Sequence, residues 1–176
     1  MKRHDWPRFL PQLPAGFAPW MHDHGSLTRH IQQCCTHFSV VPVRHGLARI
    51  AYDESSVLGL TARSHAYSRE VYLHADGQPV VFAHSTCAAE HLSGAWRAMS
   101  GLGNRSLGSL LFTHPLVRRQ PLHYLALRPH HPLYQRAVKV LSTAPAVLYA
   151  RRSLFHLHGA PLLVTEVFLP RILALK

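Results

Sequence analysis

The chain has 176 residues, 47% of them hydrophobic and 15% charged, which is enough apolar material for one domain, 1–176, with a core that needs no disulfide or metal staple. That composition excludes a polyelectrolyte tail or a disordered regulator, both of which are poor in apolar residues. Lys and Arg number 19 against 8 Asp and Glu, giving a formal net charge of +11 with 16 histidines in reserve. No run of Lys and Arg exceeds two residues. The surplus therefore reads as an Arg- and His-rich style of sequence, as a nucleic-acid face, or as a field that draws in a small polyanion. Cys34, Cys35 and Cys87 form no CxxC, against a disulfide scaffold or zinc knot. The amino terminus lacks the apolar stretch of a signal peptide, and no window of ~18 apolar residues occurs. A cytoplasmic protein with reduced thiols and no membrane span is expected.

In chain order, 1–19 carries Pro7, Pro11, Pro14 and Pro19 and reads as an extended lead-in. A helix starts near Leu27 with Ser26 as its cap. The β-branched stretch from His37 to Ile50 predicts a long strand, bent near Pro42 or Gly46. Asp76-Gly77 between two β-rich runs predicts an antiparallel hairpin, Arg69–His74 against Val80–Ser85. Helices are predicted at about His91–Ser100 and Leu107–Phe112, the second capped by Ser106. A strand at Gln120–Leu127 and a short helix near Leu133–Leu141 follow. A closing hairpin pairs Val147–Leu157 with Leu162–Leu169 across His158–Pro161. Tight turns between strands, with helices grouped between hairpins, predict an α+β fold with a single antiparallel sheet of about six strands flanked by helices.

Two charged residues stand in apolar strands. Glu166 sits among Val164, Val167 and Phe168, where both faces are apolar. A carboxylate there must find a partner, hold its proton, or reach water at a rim. Arg69 shares parity with Val71 and Leu73 and points away from Glu70. Its guanidinium either grips a carboxylate at two points or lies along an edge with its stem packed. The helix starts after Ser26 and Ser106 offer free N–H groups, each weak evidence alone. Together with one buried arginine they describe a pocket for a small carboxylic acid. The pairs His22/His24, His130/His131 and His156/His158 have no carboxylate or cysteine close in sequence to complete a metal site. No GxSxG, GxxxxGK[ST] or GxGxxG motif is present, so neither a serine-hydrolase elbow nor a nucleotide cofactor is expected.

Five ordered pieces then carry a likeness: Gly25-Ser26-Leu27-Thr28; Ser68–Val71 with Ala75–Pro79; Ser106–Thr113; Ala150–Ser153; and Pro161–Pro170. Over most of 20–171 the chain resembles the chorismate pyruvate-lyases, which form 4-hydroxybenzoate for bacterial ubiquinone synthesis. The resemblance implies a single antiparallel sheet, a cofactor-free enzyme acting on chorismate, and a monomer binding neither nucleic acid nor membrane. It implies that Arg69 holds ligand, that Glu166 is the pocket glutamate, and that the backbone amides of Leu27 and Leu107 bind ligand. Glu166 either hydrogen-bonds the ring hydroxyl or transfers a proton. Two positions depart from the family's pattern. His84 stands where an arginine is common, which is expected to weaken a secondary grip on ligand or alter product release. Ser106 stands where proline is frequent, and should still let the Leu107 amide face the ligand. The stretch 129–146 is longer than in some members. A non-catalytic sensor of small aromatic carboxylates, with the same fold, is the alternative. Such regulators carry a DNA-binding helix-turn-helix, for which the residues before Trp20 leave no room.

Overall fold

The computed structural model describes residues 6–175, so the first five residues of the predicted lead-in and the charges of Lys2 and Lys176 lie outside the described residues. Its centre is a seven-stranded sheet: β1 (Phe38–Arg49), β2 (His65–Ala75), β3 (Gln78–Ala88), β4 (Arg118–Arg119), β5 (His123–Leu127), β6 (Leu148–Leu157) and β7 (Ala160–Phe168). The order is β1-β2-β3-β7-β6-β4, with β5 also pairing β6, and every pairing is antiparallel. Two hairpins make its halves. In each, both turn residues have positive φ: Asp76 and Gly77 at 48° and 77°, His158 and Gly159 at 51° and 80°. That backbone twist matches the twist of the flanking strands, hence Asp-Gly and His-Gly at these turns.

The long first strand is present and its bend is a bulge between Pro42 and Arg44, tolerable because β1 pairs only with β2 and proline has no N–H to give. Helices α1 (Ala18–Met21), α2 (Leu27–Gln33) and α4 (Leu107–Thr113) cover one sheet face, while α3 (Tyr52–Ser55) and α5 (Pro132–Ala137) lie on the other. Ser26 caps α2 by accepting from the Arg29 amide, and Ser106 caps α4 by accepting from the Gly108 amide at 3.1 Å. On the first face an apolar cluster around Trp20, Met21, Ile31 and Val71 meets a second around Trp96, Leu107, Leu111 and Phe155.

The structure corrects five expectations. The lead-in is not extended throughout: a 3-10 turn at Ala15–Phe17 runs into α1. Pro19 is compatible with that, since the first helical turn needs no N–H from it, and burial of Phe17, Trp20 and Met21 draws the segment onto the sheet. The predicted helix at His91–Ser100 is two 3-10 pieces, Ala89–Ser93 and Arg97–Met99, parted at Gly94. Trp96 between them is fully buried and donates its indole N–H to the Ala160 carbonyl at 3.2 Å. The Leu133–Leu141 helix is the six-residue α5 followed by a 3-10 turn at Val138–Val140. The predicted strand at Gln120–Leu127 is β5, which begins only at His123, beyond Pro121; the two-residue β4 before it had no counterpart among the predicted strands and raises the count from six to seven. The turn of the last hairpin is His158-Gly159 alone, with Ala160 and Pro161 already in β7. The short helix α3 had no counterpart among the predicted elements.

Candidate functional site

The strand register builds a floor on the face covered by α2 and α4. One row crosses four strands as Arg69, Ser85, Val164 and Ser153; the next crosses them as Val71, Ala83, Glu166 and Arg151. Side chains of one parity share a face, so Arg69 and Glu166 rise from the same side, two strand spacings apart. The small side chains between them leave a cavity over the floor. Leu27, Arg69, Leu107 and Glu166 all line it. So do two residues that sequence reasoning did not select, Ser85 and Arg119.

Arg69 is buried, on an inner strand, and so does not lie along an edge. One terminal nitrogen, Nη2, donates to the carbonyls of Gly103 and Arg105, each at 2.9 Å. Nε and Nη1 have no hydrogen bond among the described residues, which leaves one edge of the fork for a ligand. Burial lowers the Arg69 pKa, yet a guanidinium stays charged throughout the physiological range. Among the described residues no carboxylate is paired with it.

Glu166 has its partner. Arg151, next to Glu166 in that row, is wholly buried, and its Nε donates to Oε2 of Glu166 at 2.6 Å. Oε1 accepts no hydrogen bond from the described residues. The other arm of Arg151 donates from Nη1 to the carbonyls of Trp20 (2.7 Å) and Asp23 (2.6 Å). Asp23 in turn accepts from the Gly25 amide at 2.7 Å and lies 2.9 Å from His30 Nδ1. From β4, Arg119 donates to the His24 carbonyl at 2.8 Å. Two arginines from the sheet thus hold the stretch that delivers the N-terminus of α2 to the cavity.

The two helix starts meet there. Thr28 Oγ1 and Ser106 Oγ are 2.6 Å apart, and a Cβ on Gly108 would lie 3.0 Å from Thr28 Oγ1. Glycine at that position is what lets the ends approach. The amides of Leu27 and Leu107 make no hydrogen bond among the described residues, and Ser106 in place of proline leaves the second one unobstructed.

His84 lies elsewhere. It alternates with Ala83 and Ser85 and so points from the opposite face, where it meets Glu54, Glu70 and Thr86. The histidine pairs gather no metal-holding set: among the described residues no group of three or more His, Cys, Asp or Glu side chains could hold an ion.

A buried arginine with an open edge, a carboxylate with one free oxygen and two helix-start residues at the cavity wall suit a small hydroxylated carboxylic acid. Comparisons with known proteins sharpen this. The effector domain of PhnF from Mycobacterium smegmatis has a TM-score of 0.59 at 14% identity over 83% of this chain and 89% of that one. A GntR-family regulator from Bacillus cereus gives 0.56 at 11% over 77% and 94%. At such identities these neighbours share the fold alone. Sequence relatives are nearer. A protein of Nitrosomonas europaea named "Probable chorismate pyruvate-lyase" is 54% identical over 95% of this chain and 94% of its own length. One from Nitrosospira multiformis with the same name is 52% identical over 97% and 96%, and a third from Aromatoleum aromaticum is 46% identical over 94% and 90%. The family model described as "Chorismate lyase" matches residues 7–175, a span that takes in both hairpins and every side chain of the cavity, and the chain belongs to the chorismate lyase family.

Proposed function

We propose that the chain eliminates pyruvate from chorismate to give 4-hydroxybenzoate, the aromatic precursor for ubiquinone. The observation that carries the reading is the shared cavity of Arg69, Glu166 and the amides of Leu27 and Leu107. In the reaction the C4–H bond breaks and its electrons form the last ring double bond. The C3–O bond breaks toward oxygen, and the released enolpyruvate takes up one proton to become pyruvate. Atoms and charge balance with no outside reductant, oxidant or base. Aromatisation drives the step, so the protein's work is orientation, exclusion of water and charge stabilisation.

In this reading the free edge of Arg69 and the helix-start amides hold the ring carboxylate, as guanidinium groups and N–H groups at helix starts suit it. Oε1 of Glu166 accepts from the ring hydroxyl, with Oε2 fixed by Arg151 so that the free oxygen keeps its direction. No metal or organic cofactor is needed for this chemistry. In this reading the chain works in the cytoplasm as a monomer, and the free thiols of Cys34, Cys35 and Cys87 suit a reducing compartment; among the described residues no helix is long and apolar enough to cross a membrane.

Purified protein incubated with chorismate should release 4-hydroxybenzoate and pyruvate in equal amounts, read by the new aromatic absorbance and by a pyruvate assay. Tight binding of 4-hydroxybenzoate with no turnover of chorismate would instead make the chain a sensor and overturn the reading.

A further inference from the structure

Three groups of permanent or partnered charge meet the cavity: Arg69, Arg119 and the pair of Glu166 with Arg151 beside it. That pair cancels. Asp23, outside the lining, is taken up by Gly25 and His30. Glu166 and Asp23 lie near enough to favour the charge on Arg119, but among the described residues no carboxylate is paired with either guanidinium group, and a dicarboxylate would engage both.

Arg119 is held for such a role. Its Nε donates to Ser153 Oγ at 2.9 Å and its Nη1 to the His24 carbonyl. The guanidinium carbon lies 5.5 Å from the Phe112 ring centre and 5.4 Å from that of Phe155. Aromatic faces and these hydrogen bonds fix the plane, while Nη2 has no partner among the described residues. The register puts it at the far end of the row that begins with Arg69, because Ser153 ends that row and Arg119 is bonded to it. Strands lie about 4.8 Å apart, so the two guanidinium groups reach inward from opposite flanks of a floor three spacings wide, and Glu166 lies between the flanks in the adjoining row.

We propose that Arg119 binds the carboxylate of the enolpyruvyl group and so selects the dianionic substrate over its monoanionic product. The inference rests on the chorismate reading. With the ring carboxylate on Arg69 and the ring hydroxyl on Glu166, the ether substituent leaves from the carbon next to the hydroxyl carbon. From there the free flank of the cavity is the β6–β4 side, where Arg119 stands. The same charge lies beside the enolate as the C3–O bond breaks, so it favours the leaving group as well as the bound substrate. Once pyruvate has left, 4-hydroxybenzoate makes no use of Arg119.

The test separates substrate from product. Arg119→Ala should lower kcat/KM for chorismate by about 100-fold, the scale for removing one partner of a desolvated charge pair. Its Kd for 4-hydroxybenzoate should stay within about threefold, whereas Arg69→Ala should weaken both. Arg119→Lys, which keeps the charge but loses the fork, should recover part of the chorismate activity. A parallel loss of product binding in Arg119→Ala would mean that the residue only props the stretch before α2, and would overturn the proposal, as would undiminished kcat/KM. Should the variant fail to fold, the wild-type protein decides alone. It should bind 3-(carboxymethoxy)-4-hydroxybenzoate at least about tenfold more tightly than 3-methoxy-4-hydroxybenzoate, which differs by that carboxylate. Equal affinities would refute the role of Arg119. That binding pair needs no turnover, so a failure of chorismate lysis itself is read separately.

Discussion

The two faces of the sheet handle charge in opposite ways. On the face under α2 and α4, Arg69 and Arg119 end in free N–H groups and Glu166 keeps one oxygen open. On the other face, His84 is clasped by Glu54 at 3.0 Å through Nε2 and by Glu70 at 3.2 Å through Nδ1, and Glu70 also meets Arg136. Thr86 Oγ1 closes the ring at 2.7 Å. These charges face a surface groove with Arg44 and Arg49 at its rim, but they satisfy one another. Buried charges matched within the protein tie elements together, here α3 and α5 to β2 and β3; buried charges left unmatched are available to a ligand. The contrast locates the site better than charge count does, since the groove behind the sheet holds more ionisable groups than the cavity in front.

The most severe test of that contrast removes Arg69. With no carboxylate among the described residues depending on it, Arg69→Ala should lower the melting temperature by only a few degrees, for the Gly103 and Arg105 carbonyls it leaves, while kcat/KM falls about 10³-fold, because the substrate carboxylate would sit unpaired in a dry pocket. Wild-type-like kinetics would take Arg69 out of the site. Glu166→Gln comes next. The amide oxygen can keep the bond from Arg151 Nε, and the amide nitrogen then faces the ligand and can donate to the ring hydroxyl oxygen. A loss of about tenfold in kcat is expected if Glu166 only positions the ring, against ~10²–10⁴ if it carries a proton. A thousandfold loss in a folded variant with product affinity intact would establish proton transfer.

How much of this was legible in the sequence follows from range. The β2–β3 hairpin, the caps Ser26 and Ser106 and the apolar setting of Glu166 depend on neighbours within a few residues, and pattern alone finds them. Arg69 and Glu166 were found because each breaks an apolar alternation. Arg151 breaks one too, beside Ala150 and Ser153, and its partner could have been read from the last hairpin. Equal steps back from Leu157 and on from Ala160 reach Arg151 and Glu166; taking Ala160-Pro161 as part of the turn shifts that register and hides the pair. Arg119 carries no such signal. It lies in a two-residue strand after a loop, and only tertiary packing places it between Phe112 and Phe155. His84 was singled out by its departure from the family's pattern, but its face follows from parity with Ala83 and Ser85, and its partners come from α3 and β2, neither near it in the chain.

Gly108 offers a smaller and more local test of the open face. An added Cβ would lie 3.0 Å from Thr28 Oγ1 and 3.3 Å from the hydroxyls of Ser26 and Ser106. Alanine improves helix propensity by about 1 kcal/mol, so stability should hold or rise, while the two helix starts are pushed apart and the amides of Leu27 and Leu107 lose their convergence. We expect KM for chorismate to rise about fivefold in Gly108→Ala, with partial recovery when Thr28→Ala makes room. An unchanged KM would show that the amides tolerate the shift and are not tightly engaged.

The closed face should affect turnover least and pH-dependent stability most. Burial alone would lower the pKa of His84, but the charge and hydrogen bond of Glu54, with the hydrogen bond of Glu70, raise it from 6.5 to about 9 against the opposing charge of Arg136. Burial alone would raise Glu54 and Glu70; the charge of and hydrogen bond to His84, joined by the charge of Arg136, bring both below 4.5. A raised histidine pKa means that the folded state binds the proton more tightly than the unfolded chain. The stabilisation is then complete below 6.5 and is lost as pH climbs toward about 9. The two carboxylates contribute above 4.5 and lose their contribution as pH falls through their depressed folded values. Melting temperature should therefore decline between these histidine limits by several degrees, on the order of 5 °C. In His84→Gln, which cannot take the charge, that decline should flatten and the protein should melt lower near neutral pH, where two buried carboxylates have lost their cation. The rate constant at a temperature where both proteins are folded should differ by less than about threefold, since the sheet separates the cluster from the cavity. A wild-type melting temperature that is flat over this range would mean that the imidazole is not held as a cation between the two carboxylates; a large loss of kcat in a folded His84→Gln would mean that the two faces are coupled.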